Sequence, residues 1–174
     1  MSTSTITETT QYLTFKFDNE HYALEISKVR EVLDFIKVTK IPRTPDFMRG
    51  VINLRGNVVP VVDLKLKFGM AAIEKSVDTC IIISEIKVDD NDTVLGLMAD
   101  SVDEVIEMEP KNIEHAPQIG MRLNTEFIKG VGKRSDEFII ILDIDKIFSA
   151  DELSYANVLQ EKESDKKDSF NAEI

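Results

Sequence analysis

The stretch GVINLRGNVVPVVDL, residues 50–64, decides the fold class because it contains two short apolar strands joined by a tight turn. Val51–Leu54 and Val58–Val62 flank the dipeptide Gly56-Asn57, which is a two-residue hairpin signal. The pattern predicts a type II′ turn with Gly56 at its first central position. Arg55 would lie beside the tip and point outward. A lone turn arginine is most simply a solvated charge, so a specific role for it depends on the rest of the chain.

Short strands recur before this hairpin. From Tyr12 to Phe17 apolar and polar residues alternate, and the segment HYALEI returns after a polar turn. The segment SKVREVL then has helical spacing, with Ser27 as a candidate cap, and a strand through VLDFIKV follows. Five strands with one helical turn and no long helix predict an all-β protein.

The chain also contains an internal repeat. At an offset of 73, Leu24, Val29, Glu31 and Val32 fall on Leu97, Val102, Glu104 and Val105. At an offset of 80, residues 47–68 fall on residues 127–148, with Phe47, Gly50, Val51, Asp63 and Phe68 recurring as Phe127, Gly130, Val131, Asp143 and Phe148. The tetrapeptide at 53–56, Asn-Leu-Arg-Gly, becomes Lys-Arg-Ser-Asp at 133–136. The fold alone therefore does not require the first tetrapeptide at this turn.

The repeat predicts two five-stranded lobes, about 12–68 and 78–148, within an ordered domain at 11–149. Strands this short usually close into small barrels, and two such lobes would pack together and leave a groove between them. Residues 1–10 are predicted to form a flexible tail. Ser149 and Glu152 form a capping-box pattern that opens a predicted helix over 150–160, and the charged residues 161–174 are predicted to be a solvated tail.

Composition narrows the class of function. A net charge of −11 argues against nucleic-acid and anionic-membrane binding, both of which need a basic face. The lone Cys80 excludes a disulfide framework and fits a reducing compartment. No run approaches the ~20 apolar residues of a membrane span, and the start lacks the regions of a signal peptide. The chain is therefore predicted to be cytoplasmic, without direct membrane insertion.

The sequence offers little catalytic chemistry. It has no phosphate-binding loop, no His/Cys metal spacing and no nucleophile elbow, so it predicts no enzyme, cofactor or metal. Two acidic groups could be imagined as Mg²⁺ or Ca²⁺ ligands: Asp143 with Asp145, and Asp100 with Asp103 and Glu104. The simpler interpretation is structural, because Ser101 followed by Glu104 has the spacing of a capping box and Asp143 ends an apolar strand.

Four segments carry a resemblance: YALEISKVREVL, IPRTPDFMRGVINLRGNVVPVVDL, GLMADSVDEVIEM and ILDIDKI. Together they resemble the chemotaxis coupling (adaptor) proteins, the CheW-like family, over about residues 11–149. The resemblance implies two SH3-like five-stranded barrels and a non-catalytic adaptor in chemotaxis signal transduction. It also implies two partners, the cytoplasmic tip of a chemoreceptor and the regulatory domain of the chemotaxis histidine kinase. The protein would then be cytoplasmic and associated with membrane-bound receptor arrays.

The resemblance also implies the site residues. Receptor-facing positions would be Val29, Glu31, Asn53 and Arg55, with Cys80, Val102 and Val105 on the opposite wall. Gly50, Gly56 and Asp63 would be structural, with Gly50 at a position that needs a residue without a side chain. Cys80 departs from the aliphatic residue more usual there. For the three valines, plain core packing is an equal alternative.

Two other functions stay open at this point. A small-barrel ligand- or oligonucleotide-binding module would need stacking aromatics and a basic track, and the chain has no tryptophan. A metal-dependent enzyme would rely on Asp143 and Asp145, which titration with Mg²⁺ or Ca²⁺ would test.

Overall fold

The computed structural model of the protein describes residues 8–88, 90–114, 125–149 and 151–152. In these ranges the chain forms the strands β1 (Thr10–Phe17), β2 (Glu20–Glu25), β3 (Val29–Asp34), β4 (Met48–Leu54), β5 (Asn57–Asp63), β6 (Cys80–Val88), β7 (Asn91–Ala99), β8 (Ser101–Met108), β9 (Ile113–Glu114), β10 (Ile128–Arg134) and β11 (Glu137–Leu142). The helical elements are short: α1 (Leu64–Lys67), α2 (Ile144–Ile147) and 3₁₀ turns at Ile26–Lys28, Pro110–Asn112 and Thr125–Phe127. The predicted all-β class is confirmed.

The strands form two sheets. The five-stranded lobe has the order β3-β6-β7-β5-β4, and the six-stranded lobe has the order β8-β1-β2-β11-β10-β9. Thr39, which follows β3 at one edge of the first sheet, bridges Val51 of β4 at the other edge. The equivalent β9, which follows β8, pairs with β10 at Val131. Each sheet therefore curls round so that its edges meet.

The predicted lobe boundaries do not coincide with the two sheets. The hairpin β1–β2 lies between β8 and β11 in the six-stranded sheet. The hairpin β6–β7 lies between β3 and β5 in the five-stranded sheet. Each repeat thus supplies its first hairpin to the sheet built by the other. The ranges 12–68 and 78–148 therefore mark stretches of chain rather than lobes, because each lobe contains strands of both.

The repeat is visible in the strand registers. β4 pairs with β5 from Met48↔Val62 to Leu54↔Asn57, and the register shifts before Gly50. β10 pairs with β11 from Ile128↔Leu142 to Arg134↔Glu137, and the register shifts before Gly130. These positions differ by the offset of 80 found in the sequence.

The lobes share one hydrophobic core. Buried side chains of β1, such as Phe15 and Phe17, belong to the same cluster as Ile81, Ile82 and Ile83 of β6. A smaller cluster lies within the six-stranded lobe and consists of Tyr12, Ala23, Ile106, Met108, Ile139 and Ile141. Alternate residues of β1 therefore face the partner lobe and the interior of their own sheet, as the period of a strand requires.

Two aromatic contacts join the lobes symmetrically. The ring centroids of Phe47 and Phe148 are 5.6 Å apart, and those of Phe68 and Phe127 are 5.9 Å apart. The offset of 80 converts the first pair into the second. The lobes thus meet as two copies do across an isologous interface, about an approximate two-fold axis.

The predicted helical spacing of SKVREVL is wrong. The segment forms the 3₁₀ turn at Ile26–Lys28 and then β3, in which half-buried and exposed residues alternate. Val29, Val32 and Leu33 are compatible with one face of a helix and also with the two faces of a strand. Over so short a segment, periodicity does not distinguish a helix from a strand.

One of the two predicted capping boxes is wrong and the other is confirmed. Ser101 and Glu104 lie in β8, where the Thr14 hydroxyl donates to the Glu104 carbonyl at 2.7 Å and accepts from its N–H at 3.1 Å. Ser149 and Glu152 form the reciprocal hydrogen bonds of a capping box, at 2.9 and 3.1 Å. Most of the predicted helix at 150–160, residues 1–7 of the predicted N-terminal tail and the tail at 161–174 lie outside the described residues.

Candidate partner-binding site

The β4–β5 turn differs by one residue from the predicted turn. Leu54 pairs with Asn57, so the two turn residues are Arg55 and Gly56, with φ of +51° and +86°. Positive φ at both positions is typical of type I′ rather than type II′. The Asn53 Oδ1 accepts a hydrogen bond from the Gly56 N–H at 2.8 Å. Asn53 thereby fixes the turn that presents Arg55.

Arg55 contacts Glu31. The Arg55 Nη2 donates to both Glu31 carboxylate oxygens, at 3.1 and 3.0 Å. The Arg55 side chain is 71% exposed and that of Glu31 is 28% exposed. One guanidinium nitrogen makes both contacts, so the other two nitrogens lie outside this pair. The arrangement joins the turn to the edge strand β3 and keeps the guanidinium at the surface.

Gly50 and Asp63 hold the ends of this hairpin. Gly50 has φ of +141°, and a Cβ there would lie 2.1 Å from the Thr39 carbonyl oxygen, so the bridge that closes the sheet excludes a side chain. The buried Asp63 caps α1, because its Oδ1 accepts from the Lys65 N–H at 2.9 Å and its Oδ2 accepts from the Ile73 N–H at 2.8 Å. Both residues act on the backbone that carries the site.

A second group of site residues lies where β6 meets β8. Burial raises the pKa of the Cys80 thiol, and a hydrogen bond with the backbone of Val102 acts in the opposite direction. The thiol donates to the Asp78 carbonyl at 3.2 Å. Cys80 of the five-stranded lobe therefore lies against β8 of the six-stranded lobe.

Val32 and Val105 lie at equivalent edges of the two lobes. Val105 pairs with Leu13, and Val32 pairs with Ile82. Both partners belong to the shared core, and directly opposite residues of antiparallel strands project to the same side. The two valines therefore project from the faces on which the lobes pack, and they are 40% and 47% exposed. The packing between the lobes does not cover these faces completely, so the two valines remain as exposed apolar edges.

The other two valines are less accessible. Val29 and Val102 are partly buried and pack against the shared core. Val105 is more exposed than either of them, and receptor contact by Val29 and Val102 stays a prediction.

β3 connects the two groups of residues. Glu31 and Asp34 are three positions apart in β3, roughly 10 Å in an extended chain, and Asp34 pairs with Cys80. That length corresponds to about two turns of an α-helix. Sequence reasoning missed Val32, which lies between them on the same strand. Its counterpart at the offset of 73 is Val105, so the repeat itself was the signal that could have found it.

The carboxylates considered as metal ligands have other partners. Asp145 accepts from the Lys28 ammonium at 2.7 Å and the Lys87 N–H at 2.8 Å. Asp100 accepts from the Asp18 N–H at 2.7 Å, and Glu104 pairs with Arg134. Across the described ranges, no three His, Cys, Asp or Glu side chains are grouped so as to hold a metal ion.

None of the helices in the described part of the chain has the length and apolar character to span a bilayer.

Comparisons with known proteins agree on one family. A family model, the CheW-like domain, matches residues 11–152. The chemotaxis protein CheW of Klebsiella aerogenes is 34% identical over 144 residues, 83% of this chain and 84% of that protein. The CheW of Helicobacter pylori is 33% identical over the same shares. The crystal structure of the scaffolding protein TtCheW from Thermoanaerobacter tengcongensis matches with a TM-score of 0.72 and 37% identity, covering 83% of this chain and 90% of that one. The predicted pair of SH3-like lobes fits this likeness.

Proposed function

Because this chain belongs to the CheW-like domain family, we propose that it is a non-catalytic adaptor that couples chemoreceptor tips to a chemotaxis histidine kinase. The protein is a scaffold of chemotaxis signal transduction. Its two partners would be the cytoplasmic tip of a receptor and the regulatory domain of the kinase. It would act in the cytoplasm, at arrays of membrane-bound receptors.

The observation that best supports the receptor-binding role is the Glu31–Arg55 pair beside exposed apolar edges. Val32 and Val105 are partly exposed on the faces by which the lobes pack, and Arg55 presents a charge beside Glu31, the residue before Val32 in β3. An amphipathic helix that is bound in a groove needs an apolar stripe and polar anchors at its border. Val32 on β3 and Arg55 at the neighbouring turn supply one of each, and the length of β3 from Glu31 to Asp34 matches about two helical turns.

Arg55 and Glu31 would have different roles in this contact. The Arg55 nitrogens outside the pair can donate to a carboxylate or a side-chain amide on a receptor helix. Glu31 holds the guanidinium from one side and so limits the orientations that Arg55 can take. Asn53 would act indirectly, because its side chain fixes the turn that presents Arg55. The receptor would thus meet a charge that is already oriented.

The test is an NMR titration of the labelled protein with a receptor-tip helical hairpin, followed by the kinase regulatory domain. We expect the hairpin to perturb Glu31, Val32, Asn53, Arg55 and Val105, and the kinase domain to perturb a separate surface. Binding of both partners at once would support the adaptor role. Perturbation of one surface by both partners, with mutual displacement, would contradict it.

A further inference from the structure

An open cavity at one end of the six-stranded lobe, the barrel mouth, contains a histidine between two carboxylates. The Nδ1 of His21 on β2 is 3.4 Å from the Oδ2 of Asp103 on β8, and its Nε2 is 3.3 Å from the Oε2 of Glu137 on β11. The His21 side chain is 23% exposed. In the sheet, β1 and β2 lie between β8 and β11. The imidazole therefore bridges two strands that are not neighbours.

Each of the two contacts needs a proton on the ring nitrogen that makes it. A neutral imidazole carries one N–H, so it donates toward one carboxylate and turns the lone pair of its other nitrogen toward the second. An imidazolium carries an N–H at both nitrogens and is attracted by both carboxylates. The geometry around His21 therefore fits the protonated ring.

The other charged groups at the barrel mouth favour the same state. The mouth is also lined by Lys16 of β1, Glu104 of β8 and Arg134 of β10. The Lys16 ammonium lies 4.0 Å from Asp103, and Arg134 pairs with Glu104 at 2.7 Å. Two permanent cations thus face three carboxylates, and a protonated ring supplies the third positive charge.

The internal repeat shows that the fold does not require this arrangement. In the five-stranded lobe, the positions equivalent to the histidine and its two carboxylates are occupied by Val94, Arg30 and Asn57, at the offsets of 73, 73 and 80. That lobe closes into the same kind of sheet without an imidazole bridge. The bridge is thus a property of this sequence in one lobe rather than of the fold.

The bridge acts on an edge strand. β8 stands at the end of the strand order and has β1 as its neighbour in the sheet. Asp103 follows Val102, which packs against the shared core, and precedes the exposed Val105 by two residues. A contact that holds Asp103 therefore holds the strand that carries both valines.

We propose that His21 is a proton-dependent clasp that holds β8 to β11 across the barrel mouth. With both ring nitrogens protonated, the imidazolium attracts Asp103 and Glu137 at once. When the ring gives one proton to solvent, it keeps one carboxylate and releases the other. The clasp is therefore closed at lower pH and opens as the pH rises. The inference does not depend on the proposed function.

The test is NMR on the full chain between pH 8 and 5, the interval in which histidine side chains change charge. The ring of His21 is followed by ¹⁵N shifts, and the carboxylate carbons of Asp103 and Glu137 by ¹³C shifts. We expect both carbons and the amides of β8 to shift in one step with the ring. A ring that titrates without a response at both carboxylates would overturn the proposal, and so would a ring that shows no titration in this interval.

Three substitutions identify the group responsible. His21→Gln keeps a donor but has no titrating proton, so the step should disappear from both carbons. His21→Arg has a permanent charge and donors for both carboxylates, so the carbons should stay near their low-pH positions throughout. His115→Gln is the matched control, because it makes the same change at the other histidine of the chain, and it should leave the step in place. A step that persists in the His21→Gln protein would contradict the assignment.

Urea unfolding provides a second readout. Between pH 8 and 5.5, the folding equilibrium constant of the parent should gain about two- to fivefold over that of the His21→Gln protein, since partly exposed ion pairs contribute little. The His21→Arg protein should show no such gain. The same pH dependence in the parent and both variants would mean that the ring does not hold the strands.

Discussion

The Arg55 guanidinium holds the Glu31 carboxylate at 3.0 Å, and the second half of the chain repeats this contact. There Arg134 pairs with Glu104 at 2.7 Å, at the equivalent hairpin and the equivalent edge strand. The glutamates correspond at the offset of 73, whereas Arg134 precedes its turn by one residue and corresponds to Leu54. An ion pair between hairpin and edge strand is therefore a feature of both lobes, but only Arg55 occupies the turn itself. Comparing the two ion pairs can therefore distinguish a structural role, which both arginines would share, from a role in receptor recognition, which only Arg55 would have.

A buried hydroxyl provides a prediction about stability. The Oγ of Ser84 is fully buried and has no hydrogen-bond partner within the described part of the protein. Ser84→Ala removes a desolvated polar group, so it should leave the free energy of unfolding unchanged or raise it by about 1–2 kcal/mol. Thr14→Val is the matched control. It removes a hydroxyl that bonds both the N–H and the carbonyl of Glu104, and should lower that free energy by about 1–3 kcal/mol. Urea unfolding measures both, and a loss at Ser84 as large as that at Thr14 would contradict the assignment.

Each repeat supplies its first hairpin to the sheet built by the other, so we expect the folded protein to stay together when the chain is cleaved between the repeats. Each lobe contains strands from both repeats, so the halves should hold each other after cleavage. Val77, in the connection between α1 and β6, is 99% exposed and is a suitable place for an inserted protease site. We expect the two fragments to co-elute in size-exclusion chromatography with native circular dichroism. Their thermal midpoint should become concentration-dependent, because unfolding then separates two chains. Fragments that separate under native conditions would contradict the topology.

The assignment of each hairpin to a sheet also shows which part of the fold could not be predicted from the sequence. The hairpin around Arg55 and the capping box at Ser149 were predictable because their hydrogen bonds are local and each needs specific residue types. The offsets of 73 and 80 correctly aligned the two repeats. Which hairpin joins which sheet depends on pairings between distant parts of the chain. Both choices bury the same alternating residues, so no local pattern distinguishes them.

The same limit applies to the site. The resemblance placed Glu31 and Arg55 in one region, and their contact is a property of the closed sheet that brings β3 to the β4–β5 turn. The exposure of Val32 depends on its place at an edge, because a central strand would bury the same residue. Residue type alone could not separate Val29, which packs on the core, from Val32, three positions later.

The ion pair between Glu152 and Lys67 should depend on pH. Burial raises the pKa of this carboxyl, but hydrogen bonds from Lys67 and the Ser149 backbone outweigh it, so the pKa lies below the usual 4.5. A group whose pKa is lowered by folding stabilises the folded state above its unfolded pKa. That contribution is lost as the pH falls through the lower, folded value. Protection of the amides around residue 152 should therefore be constant from pH 7 to about 5 and fall below about 4.5.

A substitution checks that Glu152 is responsible. Glu152→Gln should show the weaker protection at pH 7 and little change between pH 5 and 4, when measured by hydrogen exchange. Glu109→Gln is the control, because it removes an exposed carboxylate that pairs with Lys111 elsewhere on the surface, and it should follow the parent protein. A pH profile that is the same in the Glu152→Gln protein and the parent would mean that another group controls the transition.

The final prediction concerns Arg55 itself. Its side chain is 71% exposed, and exposed ion pairs contribute at most ~1 kcal/mol, so Arg55→Ala should change the melting temperature little. Binding of a receptor-tip hairpin should weaken by about 1–3 kcal/mol, roughly 5- to 150-fold, because a charge-assisted contact is lost. Binding of the kinase regulatory domain alone should be nearly unchanged. Isothermal titration calorimetry measures both affinities, and differential scanning calorimetry measures stability.

Arg134→Ala is the matched control, because Arg134 makes the equivalent ion pair in the other lobe with a side chain that is 49% exposed. Since both pairs lie at the surface, the two substitutions should have similarly small effects on stability. Only Arg55→Ala should weaken receptor binding, because only Arg55 lies in the turn itself, next to Glu31 of β3. Equal losses of receptor affinity for both variants would contradict this assignment. So would a large fall in melting temperature for Arg55→Ala alone, since the arginine would then act by holding the hairpin against β3 rather than by contacting the receptor.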